Sequence, residues 1–218
     1  MARAGRVLVV QPAFLGDVVF TSALVDALAE RFAEVDVCVT PRGHDAALAM
    51  PRAARVHVFD KRGEDKGPSG LWRTARRLRE QRYDAAALPH RSPRSALLTW
   101  LAGIPRRVGF RGAPGSPLYT ERVAEPAGSF VAREGALARA FGAEPRPMRL
   151  AARPEWVRAA EERLRGWSAP TAAASSDRMS ANRALPTRPP QRRFRRPNQA
   201  LLPGREPSPP PFSGTGPR

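Results

Sequence analysis

Short apolar runs and helical stretches take turns along residues 1–167 of this chain, and few architectures accept that alternation. Residues 6–10, Arg-Val-Leu-Val-Val, form a β-branched run of the kind found in strands buried on both faces. A loop follows at 12–16, then a helix over 17–32 with Val18, Leu24, Val25, Leu28 and Phe32 at helical spacing. Further strands are predicted over 34–40, 55–59, 83–88 and 107–110, and helices over 44–50, 71–82, 93–102, 130–141 and 154–167. Strand and helix in strict succession imply right-handed crossovers and a parallel sheet. The expected fold class is therefore α/β, a Rossmann-like parallel sheet with helices on both faces. In such sheets a ligand lies beyond the carboxyl ends of the strands. That selects the loops at 12–17, 41–44, 60–70, 89–94 and 111–117.

From residue 168 the periodicity is lost. Residues 168–218 hold 11 of the 24 prolines, with runs at 189–190 and 209–211, and too few apolar residues for a core. Two regions are expected: a domain over 1–167 and a disordered Arg/Pro-rich tail over 168–218. The net charge is +17, and nine arginines in the last 50 residues face only Asp177 and Glu206. Arginine supplies nearly all the positive charge, lysine occurring only at Lys61 and Lys66. Such a field attracts anions of any origin: nucleic acid, anionic lipid or a phosphorylated substrate. No apolar run approaches the roughly 20 residues of a membrane span. The basic N-terminus is not followed by a secretory signal. The lone Cys38 excludes an internal disulfide framework and a cysteine-cluster metal site. These features give the expectation of a cytoplasmic protein.

The stretch with the most chemical content is Val7-Leu-Val-Val-Gln-Pro-Ala-Phe-Leu-Gly-Asp, running from strand through loop into helix. It holds one glycine, so it is not a dinucleotide fingerprint, and no Gly-Lys-Ser/Thr follows, so it is not a P-loop. Gly16 allows close backbone approach at the strand's carboxyl end. Asp17 stands in the first turn of the helix. It can serve as a first-turn acid stabilised by the helix dipole, or as a general base at the mouth of the sheet. Trp72 and Trp100 fall at helical apolar spacing and are expected to pack.

With Leu15-Gly16-Asp17, Tyr83-Asp84, Arg94-Ser-Ala-Leu-Leu and Ala102-Gly-Ile-Pro-Arg-Arg-Val-Gly-Phe-Arg-Gly in this order, residues 6–167 resemble the N-terminal half of the lipopolysaccharide heptosyltransferases, glycosyltransferase family 9. The resemblance implies a GT-B architecture of two Rossmann-like domains. The N-terminal one receives the sugar acceptor and the C-terminal one holds ADP-heptose, the donor substrate. Neither a metal nor a further cofactor is implied. The reaction would invert the anomeric centre, with Asp17 as the base that deprotonates the acceptor hydroxyl. The implied acceptor is the phosphorylated, Kdo-bearing lipopolysaccharide inner core, and the implied location is the cytoplasm, peripheral to the inner membrane. Gly16, Arg62, Lys66, His90, Arg91, Arg107 and Arg111 are the residues expected to meet this anionic substrate. Each basic one also reads as part of a solvated surface.

The resemblance stops near Trp167. No glycine-rich strand–loop–helix and no lysine for a diphosphate follow, so the expectation is a reading frame lost near 168–175 and little turnover by the chain as written. A different class of function is a basic nucleic-acid-binding protein in which Arg192-Arg-Phe-Arg-Arg grips phosphates without specificity.

Overall fold

A computed structural model shows the protein with its side chains, and the structure describes residues 5–165. Six strands, β1 Arg6–Val10, β2 Glu34–Val39, β3 Arg55–Val58, β4 Ala85–Leu88, β5 Arg106–Phe110 and β6 Glu121–Val123, form one sheet. Its order is β3-β2-β1-β4-β5-β6, and every pairing is parallel. The six helices are α1 Leu15–Leu28, α2 His44–Leu48, α3 Gly67–Arg79, α4 Pro93–Leu101, α5 Phe130–Ala140 and α6 Pro154–Leu164. This is the doubly wound arrangement that the alternation implies, and the strand order reverses between β1 and β4.

β1 lies at the centre, with Val7 in register with Val35 on one side and Ala85 on the other. Its side chains alternate between faces, as the period of a strand requires. Val7 and Val9 join Val37, Ala87, Val108 and Phe110 under α1 and α5. Leu8 and Val10 join Cys38, Ala86 and Leu88 under Leu71, Ala75 and Leu78 of α3 and Leu98 of α4. α1 is buried continuously from Thr21 to Leu28. Burial around the whole circumference, with Thr21, Ser22 and Asp26 included, marks a helix covered on several sides. The strap 143–153 crosses it: Arg149 N donates to Ser22 Oγ at 3.2 Å, and Ala151 N to the Ala49 carbonyl at 2.8 Å.

The amino ends of the strands are closed by a polar knot. Asp36 of β2 is fully buried, and its Oδ2 accepts from Tyr83 Oη at 2.6 Å and from an Arg6 guanidinium nitrogen at 3.1 Å. His57 Nε2 lies 3.4 Å from the same oxygen. Burial works against the ionised form, but the hydrogen bonds from His57 and Tyr83 prevail and hold Asp36 below the usual carboxylate range.

Several boundaries differ from those expected. α1 begins at Leu15, because Phe14 already takes the extended N-cap conformation. α3 starts at Gly67, since Pro68 is accommodated in the first turn, where its missing N–H is no loss. β6 was not predicted: Glu-Arg-Val is too short and too polar to show a period. Trp72 and Trp100 are about half exposed rather than packed. Trp72 instead borders a shallow surface depression with Ala75 and Leu101. No residue of α6 is buried. The expected tail over 168–218, its charge cluster and the boundary at 167 lie outside the described residues.

Candidate active site

β1 delivers the chain to the switch point and α1 carries it away. Between them Gln11 N continues the ladder to the Cys38 carbonyl at 2.9 Å, and Lys61 Nζ donates to the Pro12 carbonyl at 2.6 Å. Phe14 caps the helix, which places Asp17 at its third position. There Oδ2 accepts from the Phe14 N–H at 3.2 Å. This is the acidic half of a capping box; phenylalanine cannot return the other half. Asp17 is half-buried, and among the described residues no hydrogen bond holds its Oδ1. The two readings of Asp17 are compatible in space, since one oxygen secures the helix and the other is without a hydrogen bond among the described residues.

Gly16 is exposed, and a Cβ built on it meets nothing within 4 Å. Nothing inside the fold requires glycine at this position. The open space lies on the solvent side, where Phe14 and Leu15 are also exposed.

Beneath the first turns of α1 lies a buried polar cluster. Thr21 Oγ1 donates to the Asp17 carbonyl at 2.9 Å and accepts from Gln11 Nε2 at 3.1 Å. Glu134 Oε1, from α5, lies 3.4 Å from the same hydroxyl. Glu134 is 3% exposed, and its Oε2 has no partner among the described residues. Burial pushes its carboxyl up to about 8, and the Asp17 carboxylate adds to the rise while Arg133 opposes it.

The β4–α4 loop supplies His90, half-buried, with its pKa lowered first by burial and then by the Lys61 ammonium; Asp17 pulls the other way. Lys61 itself is lowered by burial and by Arg62 and Arg94 nearby. Arg62 and Lys66 are exposed on the turn after β3. That turn is fixed by two aspartates: Gly63 N donates to Asp60 Oδ1 at 2.9 Å, and Asp60 N to Asp65 Oδ2 at 3.0 Å. Arg91 is paired with Glu125 at 3.1 Å and donates to the Gly112 carbonyl. Glu125 also holds Arg133 at 2.9 Å. Arg111 follows the last residue of β5 and is exposed, its backbone N–H donating to the Val123 carbonyl at 2.7 Å.

The structure therefore brings Gly16, Asp17 and His90 to the carboxyl end of the sheet. Arg62, Lys66, Arg91 and Arg111 lie on loops at that same end. Arg107 stands apart. It lies near the amino end of β5, and its guanidinium donates to the carbonyls of Leu118 at 2.8 Å, Ile104 at 2.5 Å and Pro105 at 3.3 Å. Lys61, Arg133 and Glu134 share the site, and sequence reasoning passed over all three. Arg133 and Glu134 are adjacent opposite charges in the first half of a helix whose one other charged residue is Arg139, and that adjacency is the signal the sequence offers. Among the described residues no group of three or more His, Cys, Asp or Glu could hold a metal ion, and no helix is long and apolar enough to cross a membrane.

A Rossmann-like α/β domain with a helix-borne carboxylate and basic loops over its switch point is the class that fold and site define. The family model for glycosyltransferase family 9 (heptosyltransferase) matches residues 71–177. Lipopolysaccharide heptosyltransferase 2 of Escherichia coli (strain K12) is 32% identical over 113 residues, covering 49% of this chain and 31% of that protein. Its counterpart in Salmonella typhimurium (strain LT2) is 30% identical over 115 residues, again 49% and 31%. Among solved structures, the family 9 glycosyl transferase from Veillonella parvula DSM 2008 superposes with a TM-score of 0.68 at 20% identity, over 77% of this chain and 52% of that one. The E. coli ADP-heptose lps heptosyltransferase II superposes at 0.56 and 24% identity, over 75% and 51%. These two likenesses show the fold. Over residues 71–177 the chain is similar to the heptosyltransferases of glycosyltransferase family 9. It spans about a third of the curated relatives it matches and half of the solved chains. The family match begins at Leu71, so Asp17 and α1 precede it.

Proposed function

We propose that the described domain is the acceptor side of an inverting heptosyltransferase. It would serve transfer of heptose from ADP-heptose to the lipopolysaccharide inner core, with Asp17 taking the proton from the acceptor hydroxyl. The observation that carries this reading is the position of Asp17. It stands at the topological switch point, with one carboxylate oxygen engaged by the helix start and the other free of hydrogen bonds among the described residues. Beside it, Gly16 leaves room for a sugar to approach the backbone. The exposed cations Arg62, Lys66 and Arg111 suit the phosphates and carboxylates of an inner-core acceptor. His90, held toward its neutral form by burial, is suited to hydrogen bonding with a sugar. The proposed place of action is the cytoplasmic face of the inner membrane, where such an acceptor lies. A base of this kind contributes about 10²–10⁴-fold. The transfer itself needs donor and acceptor held together in one cleft.

The first test is binding. The full chain should bind phosphorylated, Kdo-bearing inner-core acceptor, and it should still do so after removal of residues 169–218. Steeply salt-dependent binding to duplex DNA that vanishes with those residues, and no binding to the acceptor, would replace this reading with the nucleic-acid one. The second test is transfer, with the chain joined to the donor-side domain of a heptosyltransferase 2. Asp17→Asn should lower kcat by roughly 10²-fold or more with little change in acceptor KM. An Asp17→Asn variant as active as its parent removes Asp17 from the mechanism.

A further inference from the structure

We propose that Glu134 is a positioning residue, acting through the Thr21 hydroxyl on the backbone of the first turn of α1 and so on where Asp17 stands. Its bearing on catalysis rests on the reading of Asp17 as base; the linkage itself does not.

The argument is a count of donors. Thr21 has one hydroxyl proton and two lone pairs. The shortest of its contacts, 2.9 Å, is to the Asp17 carbonyl, which can only accept, so the proton lies there. Gln11 Nε2 can only donate, and at 3.1 Å it fills one lone pair. The remaining lone pair faces Glu134 Oε1 at 3.4 Å. An ionised carboxylate there would set acceptor against acceptor. A protonated one donates, and all three bonds around Thr21 are then consistent. Burial leads to the same state, since Glu134 is 3% exposed and has no cation bonded to it among the described residues. Arg133, its neighbour on α5, is engaged with Glu125 instead.

The groups facing Glu134 are few. From α1 come Thr21 and the negative charge of Asp17; from its own helix, Arg133; from the end of β1, the neutral Gln11. His90, on the loop after β4, lies within the fields of Asp17 and Arg133. When Glu134 loses its proton it becomes a second acceptor for the single Thr21 hydroxyl. The hydroxyl is drawn from the Asp17 carbonyl, and the first turn of α1 loses a tie. Burial places that change near pH 8.

The test uses the full chain and no substrate, so its outcome is separate from that of the transferase reading. Amide hydrogen exchange at Val18 and Thr21 is followed by NMR from pH 6.5 to 9.5 and corrected for intrinsic base catalysis. In the parent, protection in this turn should fall roughly tenfold as pH passes through about 8. Glu134→Gln keeps a donor and cannot titrate, so it should hold the low-pH protection throughout. Thr21→Val removes the relay and should show no pH dependence. Should Glu134→Ala fold, it too should lack the step near pH 8, because it brings no second acceptor to the Thr21 hydroxyl. Identical exchange profiles for the parent and Glu134→Gln overturn the proposal, as does a Thr21→Val protein that retains the step near pH 8.

Discussion

Lys61 Nζ sits 2.6 Å from the carbonyl oxygen of Pro12, so the loop after β3 holds the loop that leads into α1. The ammonium is half-buried and the Pro12 it reaches is buried. Methionine can fill the stem's volume without the bond. Lys61→Met should therefore cost about 1–3 kcal/mol, the usual range for leaving a buried acceptor unpaired. A urea titration gives the value. A loss under about 0.3 kcal/mol would mean that the bond holds nothing.

Gly16 and Gly70 make a contrast. A Cβ on Gly16 meets nothing, and in a helix alanine is favoured over glycine by about 0.5–1 kcal/mol. Gly16→Ala should thus leave the melting temperature unchanged or raise it, while weakening acceptor binding by filling the approach to the backbone. A Cβ on Gly70 would lie 2.2 Å from the Asp65 backbone carbon, so Gly70→Ala should destabilise by at least about 1–3 kcal/mol. Calorimetry and an acceptor titration on both variants separate the two effects.

Glu134 gives stability a sign against pH. Its folded pKa, raised to about 8, exceeds the ordinary 4.5, so between these values the native state binds the proton and the unfolded state does not. Its contribution is complete below pH 4.5 and declines as pH rises toward 8. Asp36 acts in the opposite sense: its pKa is lowered, so its contribution is present above pH 3.8 and is lost on acidification. Urea midpoints between pH 5 and 8 should therefore fall in the parent, and fall less steeply in Glu134→Gln. Parallel curves would refute the assignment.

Arg107 and Arg111 should behave as opposites. Arg107 holds three carbonyls at the amino end of β5, and its loss should cost about 1–3 kcal/mol while acceptor affinity is retained. Arg111 is exposed beyond the other end of the strand, and Arg111→Ala should leave stability within about 0.5 kcal/mol while weakening binding to a phosphorylated acceptor. Denaturation and binding isotherms on the pair check both halves. Weaker binding by Arg107→Ala alone would reverse the assignment.

β1 is legible because burial on both faces leaves no polar residue over Val7–Val10. β6 is not, since an edge strand of three residues pairs through its backbone and asks little of its side chains. Among the site residues, Gly16 and Asp17 could be placed from strand, loop and helix alone. Glu134 could not, because a glutamate on a helix reads as solvated and only the packing of α5 on α1 buries it. Strand direction alone separates Arg107, at the amino end of β5, from Arg111, beyond its carboxyl end.

The knot around Asp36 closes the sheet at the pole opposite Asp17. Asp36 is in register with Leu8 and is reached by Arg6 and Tyr83 from the amino side, whereas Asp17 stands beyond the carboxyl end of β1. Charges can be swapped on the loops beyond the carboxyl ends without disturbing the clasp that ties the amino-terminal halves of the strands together.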